Sequence, residues 1–140
     1  MAEFKFGEVH SIRFLYVSDP KLLKRNETNG YITTPKTKLV LVLSNNEVSS
    51  EYKAVQCVLL TSKLRHGVFV PKGIAGLNMD SYIQTKEIYT INKVHFKKKI
   101  GVLPQEYLTT VYLDLLYTLN FENMREHIFL NQSNSENNLI

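Results

Sequence analysis

The 140-residue chain is 44% hydrophobic, enough to bury one core and to exclude a chain disordered along its whole length. Its formal charge is +4 and its pI about 9.1, a mildly basic balance that suits an anionic partner. Cys57 is the single cysteine, so an internal disulfide is excluded, and no window approaches the ~20 apolar residues of a membrane span.

The opening MAEFKFGEVH has no apolar stretch long enough for a signal peptide, and the expected location is the cytoplasm. Residues 8–17 read as a strand with one buried face: Ile12, Phe14 and Tyr16 alternate with Ser11, Arg13 and Leu15. Residues 18–37 carry two prolines, an Asn-Gly step and little periodicity, and read as a long basic loop. Residues 38–44, KLVLVLS, have the continuous apolar character of a strand buried on both sides. Asn45, Asn46, Ser49 and Ser50 mark a turn or loop. In residues 54–61, Val55, Cys57 and Leu59 alternate with Ala54, Gln56 and Val58, another strand. Residues 67–70, 81–86 and 89–94 read as three more, and 71–76 as a turn.

The run Lys97-Lys98-Lys99 reads as a solvated lead into a helix. Beyond it Leu108, Val111, Tyr112, Leu115, Leu116 and Leu119 recur with helical spacing. Pro104 suits the first turn, where a missing N–H is harmless, and Asn120 suits the end. A weaker helix is predicted over 122–130. The chain is read as one domain, residues 1–130, with a polar, mobile tail at 131–140. Strands followed by a terminal amphipathic helix give a mainly β class: a small barrel or strongly bent sheet with the helix packed on it.

His10, His66, His95 and His127 lack HxxxH spacing, and no CxxC is present, so neither a metal nor a cofactor is expected. Glycine-rich phosphate loops and GxSxG are absent too. Cys57 lies within an apolar strand and is expected to be a buried, inert thiol. Two loops leaving neighbouring strands would bring Arg25, Lys38, Thr61, Ser62, Lys63 and His66 to one face. Cations neutralise phosphate oxygens and hydroxyls add oriented hydrogen bonds, so this set suits a phosphate-bearing ligand such as RNA.

The order of segments carries more than any one of them. GEV opens the first strand at 7–9. TKLVLVLSNN follows at 37–46, VLLTSK at 58–63, GLNMDSYI at 76–83 and IYTINKVHFKKKIGVLP at 88–104, before the closing helix. This order resembles the PemK/MazF family of toxin endoribonucleases, over residues 7 to about 121. The resemblance implies a small, strongly curved SH3-like β-barrel with a C-terminal helix. It implies a homodimer that cuts single-stranded RNA at short sequences without a metal. It also implies an antitoxin partner whose tail occupies the RNA groove.

The implied reaction is attack of a ribose 2′-OH on the adjacent phosphate, which needs proton transfer and donors for the phosphorane charge. The family threonine of the TSK context falls on Thr61, with Ser62 beside it. The family arginine of the second strand falls on Lys38, followed by Leu39 where the family has proline. Lys38 and Thr61 are thus the implied catalytic residues; Arg25, Ser62, Lys63 and His66 are the implied RNA-binding ones. Lysine keeps the charge of arginine but loses its planar fork. Lys86, Glu87 and Tyr89 stand where the family has an acid, a glutamine and an arginine. These departures support an alternative, a catalytically degenerate barrel that holds a host protein or nucleic acid without cutting.

Overall fold

A computed structural model describes residues 4–14, 23–26, 30–33, 36–44, 53–64 and 66–138. Its first strands are β1 (Glu8–Phe14), β2 (Leu23–Asn26), β3 (Gly30–Thr33), β4 (Lys36–Val42) and β5 (Ala54–Thr61). β6 (Val68–Val70), β7 (Ser81–Ile83), β8 (Tyr89–Asn92) and β9 (Phe96–Val102) follow, then helices α1 (Gln105–Leu119) and α2 (Phe121–Asn138). Seven strands form one antiparallel sheet in the order β6-β7-β5-β4-β1-β9, with β8 on β5 beside β7. The mainly β class expected from the sequence is therefore observed.

One face of the sheet holds Val9, Leu41, Val58, Leu60, Val70 and Ile83, all buried, and α1 covers it with Val111. Each fully buried Val, Leu or Ile side chain contributes roughly 1.5–3 kcal/mol. Leu108 and Leu115 pack at the margin of this core, while Tyr112, expected on the same face, is 56% exposed. Asn120 ends α1 as predicted: its backbone adopts the left-handed conformation (φ 59°) and its N–H donates to the carbonyl of Leu116. The opposite sheet face buries Ile12, Val40, Cys57 and Ile91 in one cluster, and Phe4, Val42 and Val55 in another. Burial pushes the Cys57 thiol up to about 12, so the inert reading of this cysteine holds.

Several expectations are corrected. Among the described residues no ladder joins β6 to β9, so the sheet is open rather than a hydrogen-bonded SH3-like barrel. A turn at Ile74–Gly76 lies against β9 instead. A Cβ on Gly101 would sit 2.5 Å from the Ala75 carbonyl oxygen, and one on Gly76 2.5 Å from that of Ile100. Glycine at both positions permits this approach.

The basic run 97–99 is not a lead into the helix but the middle of β9, paired with β1 through two register shifts. β9 is a sheet edge, where exposed lysines oppose pairing with a second chain. The 18–37 loop contains a hairpin, β2 with β3, which pairs Asn26 with Gly30. The predicted strand 81–86 ends at Ile83, and 89–94 gives way to a 3-10 turn at Lys93–His95. The polar segment read as a tail continues α2 to Asn138. Of the strand read over 8–17, β1 covers Glu8–Phe14, and residues 15–17 lie outside the described residues.

Candidate nucleic-acid interface

The antiparallel register decides what stands beside what. β4 pairs with β5 at Leu39↔Leu60, and continuing one step outward sets Lys38 beside Thr61. Directly opposed side chains in such a pair have Cβ atoms about 4.5–5.5 Å apart. On its other side Lys38 pairs with Ile12, and Ile12 with Phe96. Thr61 pairs with Tyr82, and Tyr82 with Phe69. Alternation keeps these residues on one face, opposite α1. A row therefore crosses the sheet: Phe96, Ile12, Lys38, Thr61, Tyr82, Phe69.

Along this row the chemistry changes from apolar to cationic, then hydroxyl, then aromatic. Lys38, Thr61 and Tyr82 are half-buried, and Phe69 is 46% exposed. The Phe69 and Tyr82 rings lie 5.3 Å apart between centroids, tilted by 49°. The N–H of Lys63 donates to Thr61 Oγ1 at 3.2 Å, which uses one lone pair and leaves the hydroxyl proton to donate elsewhere. A lysine and a hydroxyl donor at neighbouring positions of adjacent strands suit a phosphate oxygen. The partly exposed rings of Tyr82 and Phe69 beside them suit stacked bases, each worth about 1–3 kcal/mol.

The structure thus brings Lys38 and Thr61 together, as the sequence could not show. Ser62 and Lys63 follow on the exposed loop after β5. His66 is also exposed but lines a cleft beside α1 rather than joining the row. Arg25 falls on β2, opposite Tyr31, and its side chain lies outside the described residues. Of the basic run, Lys97 donates to Thr37 Oγ1 at 3.2 Å and Lys99 pairs with Glu8. Glu87 accepts from the Tyr89 hydroxyl at 2.6 Å, an exposed pair. Among the described residues no three His, Cys, Asp or Glu side chains gather as metal ligands would.

Sequence reasoning missed Tyr82 and Phe69, because only pairing reveals that they extend the Lys38–Thr61 row. It also missed a buried polar cluster on the same sheet face. Glu8 Oε1 accepts from His10 at 3.0 Å and from the Lys5 backbone N–H at 3.1 Å, and its Oε2 faces Lys99 Nζ at 3.0 Å. The carboxylate can only accept, so His10 Nε2 carries the proton in this pair. The His10 ring sits between Phe4 and Phe96, at 5.0 and 5.6 Å between centroids.

Burial pushes the Glu8 carboxyl up, but the hydrogen bonds from His10, Lys5 and Lys99 and the Lys99 charge outweigh it and hold the group below its ordinary value of 4.5. A depressed carboxylate contributes stability above its unfolded value and loses it as pH falls through the folded one. Urea midpoints are therefore expected to fall as pH drops below about 4.5, and the slope is expected to flatten in Glu8→Gln. An unchanged slope in that variant would remove Glu8 as the source.

The geometry now stands beside known proteins. Residues 24–119 match the family model described as PemK-like, MazF-like toxin of type II toxin-antitoxin system. That is more than half of the chain, and the protein belongs to this toxin family. By sequence, no curated protein matches it.

Solved structures share the fold. An endoribonuclease in complex with its cognate antitoxin, from a mycobacterial species, is 18% identical with a TM-score of 0.57. That match covers 86% of this chain and 96% of the other. MazF of the MazE-MazF complex from Deinococcus radiodurans is 15% identical with a TM-score of 0.60, covering 85% and 97%. The Mycobacterium tuberculosis toxin MazF-mt6 is 22% identical with a TM-score of 0.55, covering 61% and 88%. Among the described residues no helix is long and apolar enough to cross a membrane.

Proposed function

We propose that the protein is the toxin of a toxin–antitoxin pair and cuts single-stranded RNA, in a sequence-specific and metal-independent manner. The observation that carries this reading is the register that sets Lys38 beside Thr61, in a chain of this toxin family. In the proposed reaction the ribose 2′-OH attacks the adjacent phosphate. The Lys38 ammonium neutralises the charge of the phosphorane, and the Thr61 hydroxyl donates to a phosphate oxygen. Tyr82 and Phe69 stack the neighbouring bases, and Ser62 and Lys63 hold the backbone. An antitoxin is the expected protein partner. A homodimer belongs to the same reading: Phe121, Met124 and Ile128, each about half exposed, are apolar surface that such an interface would cover.

The replacement of the family arginine by Lys38 favours a second reading, a catalytically degenerate member of the family that binds RNA or a host protein without cutting. One assay separates the two. Purified protein is incubated with a long mixed-sequence RNA in EDTA, and the 5′ ends of fragments are mapped. Discrete cuts that vanish in Thr61→Ala are expected. An RNA left whole at high protein and low salt would give the case to the binding reading.

A further inference from the structure

A cleft of about 640 Å³ lies between the start of β6 and the outer side of α1. Pockets of roughly 300–1,000 Å³ hold small organic ligands. Nothing in the Lys38–Thr61 row uses it. Phe69 is shared: it ends the row on the sheet face away from α1, and, at the β6 edge of the sheet, it also lines the cleft. His66 is exposed and is among the cleft's lining residues. An RNA strand with a phosphate at Lys38 and Thr61 would reach this cleft by passing over Tyr82 and Phe69 and round the β6 edge of the sheet.

The lining has the parts of a base-reading site. Tyr107 and Tyr117 supply aromatic surface, and Tyr117 is 86% exposed with no core to fill. Thr85, 1% exposed, donates its hydroxyl hydrogen bond to Asp114 Oδ2. That bond fixes the carboxylate and uses one of its four acceptor positions. Asp114 therefore offers acceptors at a fixed orientation, while Lys86 offers donors on the same cleft. Guanine presents two adjacent donors, N1–H and the 2-amino group, beside an acceptor at O6. Adenine and cytosine present a ring-nitrogen acceptor where the carboxylate needs a donor, and uracil flanks its one donor with two carbonyls. Each would set acceptor against acceptor.

We infer that this cleft is a guanine-reading subsite, with Asp114 taking the N1–H and amino donors, Lys86 meeting O6, and a tyrosine stacking on the ring. The inference rests on the RNA-cutting reading above for its place along the strand. Its test does not depend on cutting. The full chain is titrated with guanosine 3′-monophosphate, with the adenosine, cytidine and uridine counterparts, and with inorganic phosphate, following backbone amides by NMR.

Guanosine monophosphate is expected to shift the amides of Phe69, Lys86 and Asp114, and to bind roughly 5- to 150-fold more tightly than the other three, the range one bidentate side chain–base pair supplies. Asp114→Asn should erase the preference. Tyr117→Ala changes a solvent-exposed side chain and should weaken binding of all four nucleotides without unfolding the protein. Silent cleft amides, equal shifts with inorganic phosphate, or cleft amides that respond only to protein concentration would each overturn the subsite. The last result would assign the cleft to an interface with a second copy. A chain that binds guanosine monophosphate yet cuts no RNA would sink the RNA-cutting reading and leave the subsite standing. A chain that cuts RNA but ignores guanosine monophosphate would do the reverse.

Discussion

Lys38→Ala is expected to lower RNA cleavage about 10²–10³-fold, the usual loss when one donor to a transition-state oxyanion is removed. The fold should survive, because Lys38 is a half-buried residue outside the three core clusters. Its urea midpoint should shift by no more than about 0.5 kcal/mol equivalent. Lys38→Arg then separates two roles. An arginine cannot give up its proton in a protein, but it carries a planar fork that matches phosphate oxygens. If Lys38 acts by charge, the arginine variant keeps or exceeds wild-type cleavage. If Lys38 protonates the leaving oxygen, the arginine variant fails as the alanine one does. An alanine variant that cuts like wild type would overturn the assignment of the site.

Ile83→Ala is expected to destabilise the protein by about 2–5 kcal/mol, the range for emptying a fully buried aliphatic position. Ile83 is 0% exposed and packs in the cluster beneath α1. β7 has three residues, and Ile83 pairs with Leu60 on one side and Val68 on the other. Ile83 is thus the large apolar side chain that anchors this short strand between β5 and β6. Tyr82, its neighbour, points to the opposite face and pairs with both Thr61 and Phe69. Loosening β7 should therefore also weaken RNA binding, and more than the same loss of stability placed elsewhere would. Val111→Ala is the control: a buried core residue on α1, away from the row. If the two variants, compared well below their unfolding midpoints, bind RNA equally, the row does not depend on β7.

Local periodicity determined much of this protein by itself. The apolar spacing of Leu108, Val111 and Leu115 identified α1, because a helix writes its buried face at intervals of three and four. The alternation in 54–61 identified β5, and Cys57 within it, because a strand writes its faces at intervals of two. Thr61 was legible as a strand-end residue for the same reason, whereas Lys38, read as the first residue of a strand over 38–44, lies inside β4, which begins at Lys36. Their adjacency was not legible. Register is a relation between segments, and nothing in either segment states its partner.

The same limit hid β9. Lys97, Lys98 and Lys99 look solvated, and they are exposed, yet the strand exists because β1 supplies its hydrogen bonds from far along the chain: Ser11 reaches the Lys98 carbonyl across 87 residues. Tyr82 and Phe69 joined the row, and Glu8, His10 and Lys99 became a buried cluster, only once these ladders formed. Side-chain type and spacing are local, and the sequence holds them outright. Which hydroxyl meets which cation depends on long-range strand pairing, and that was decided by the tertiary structure.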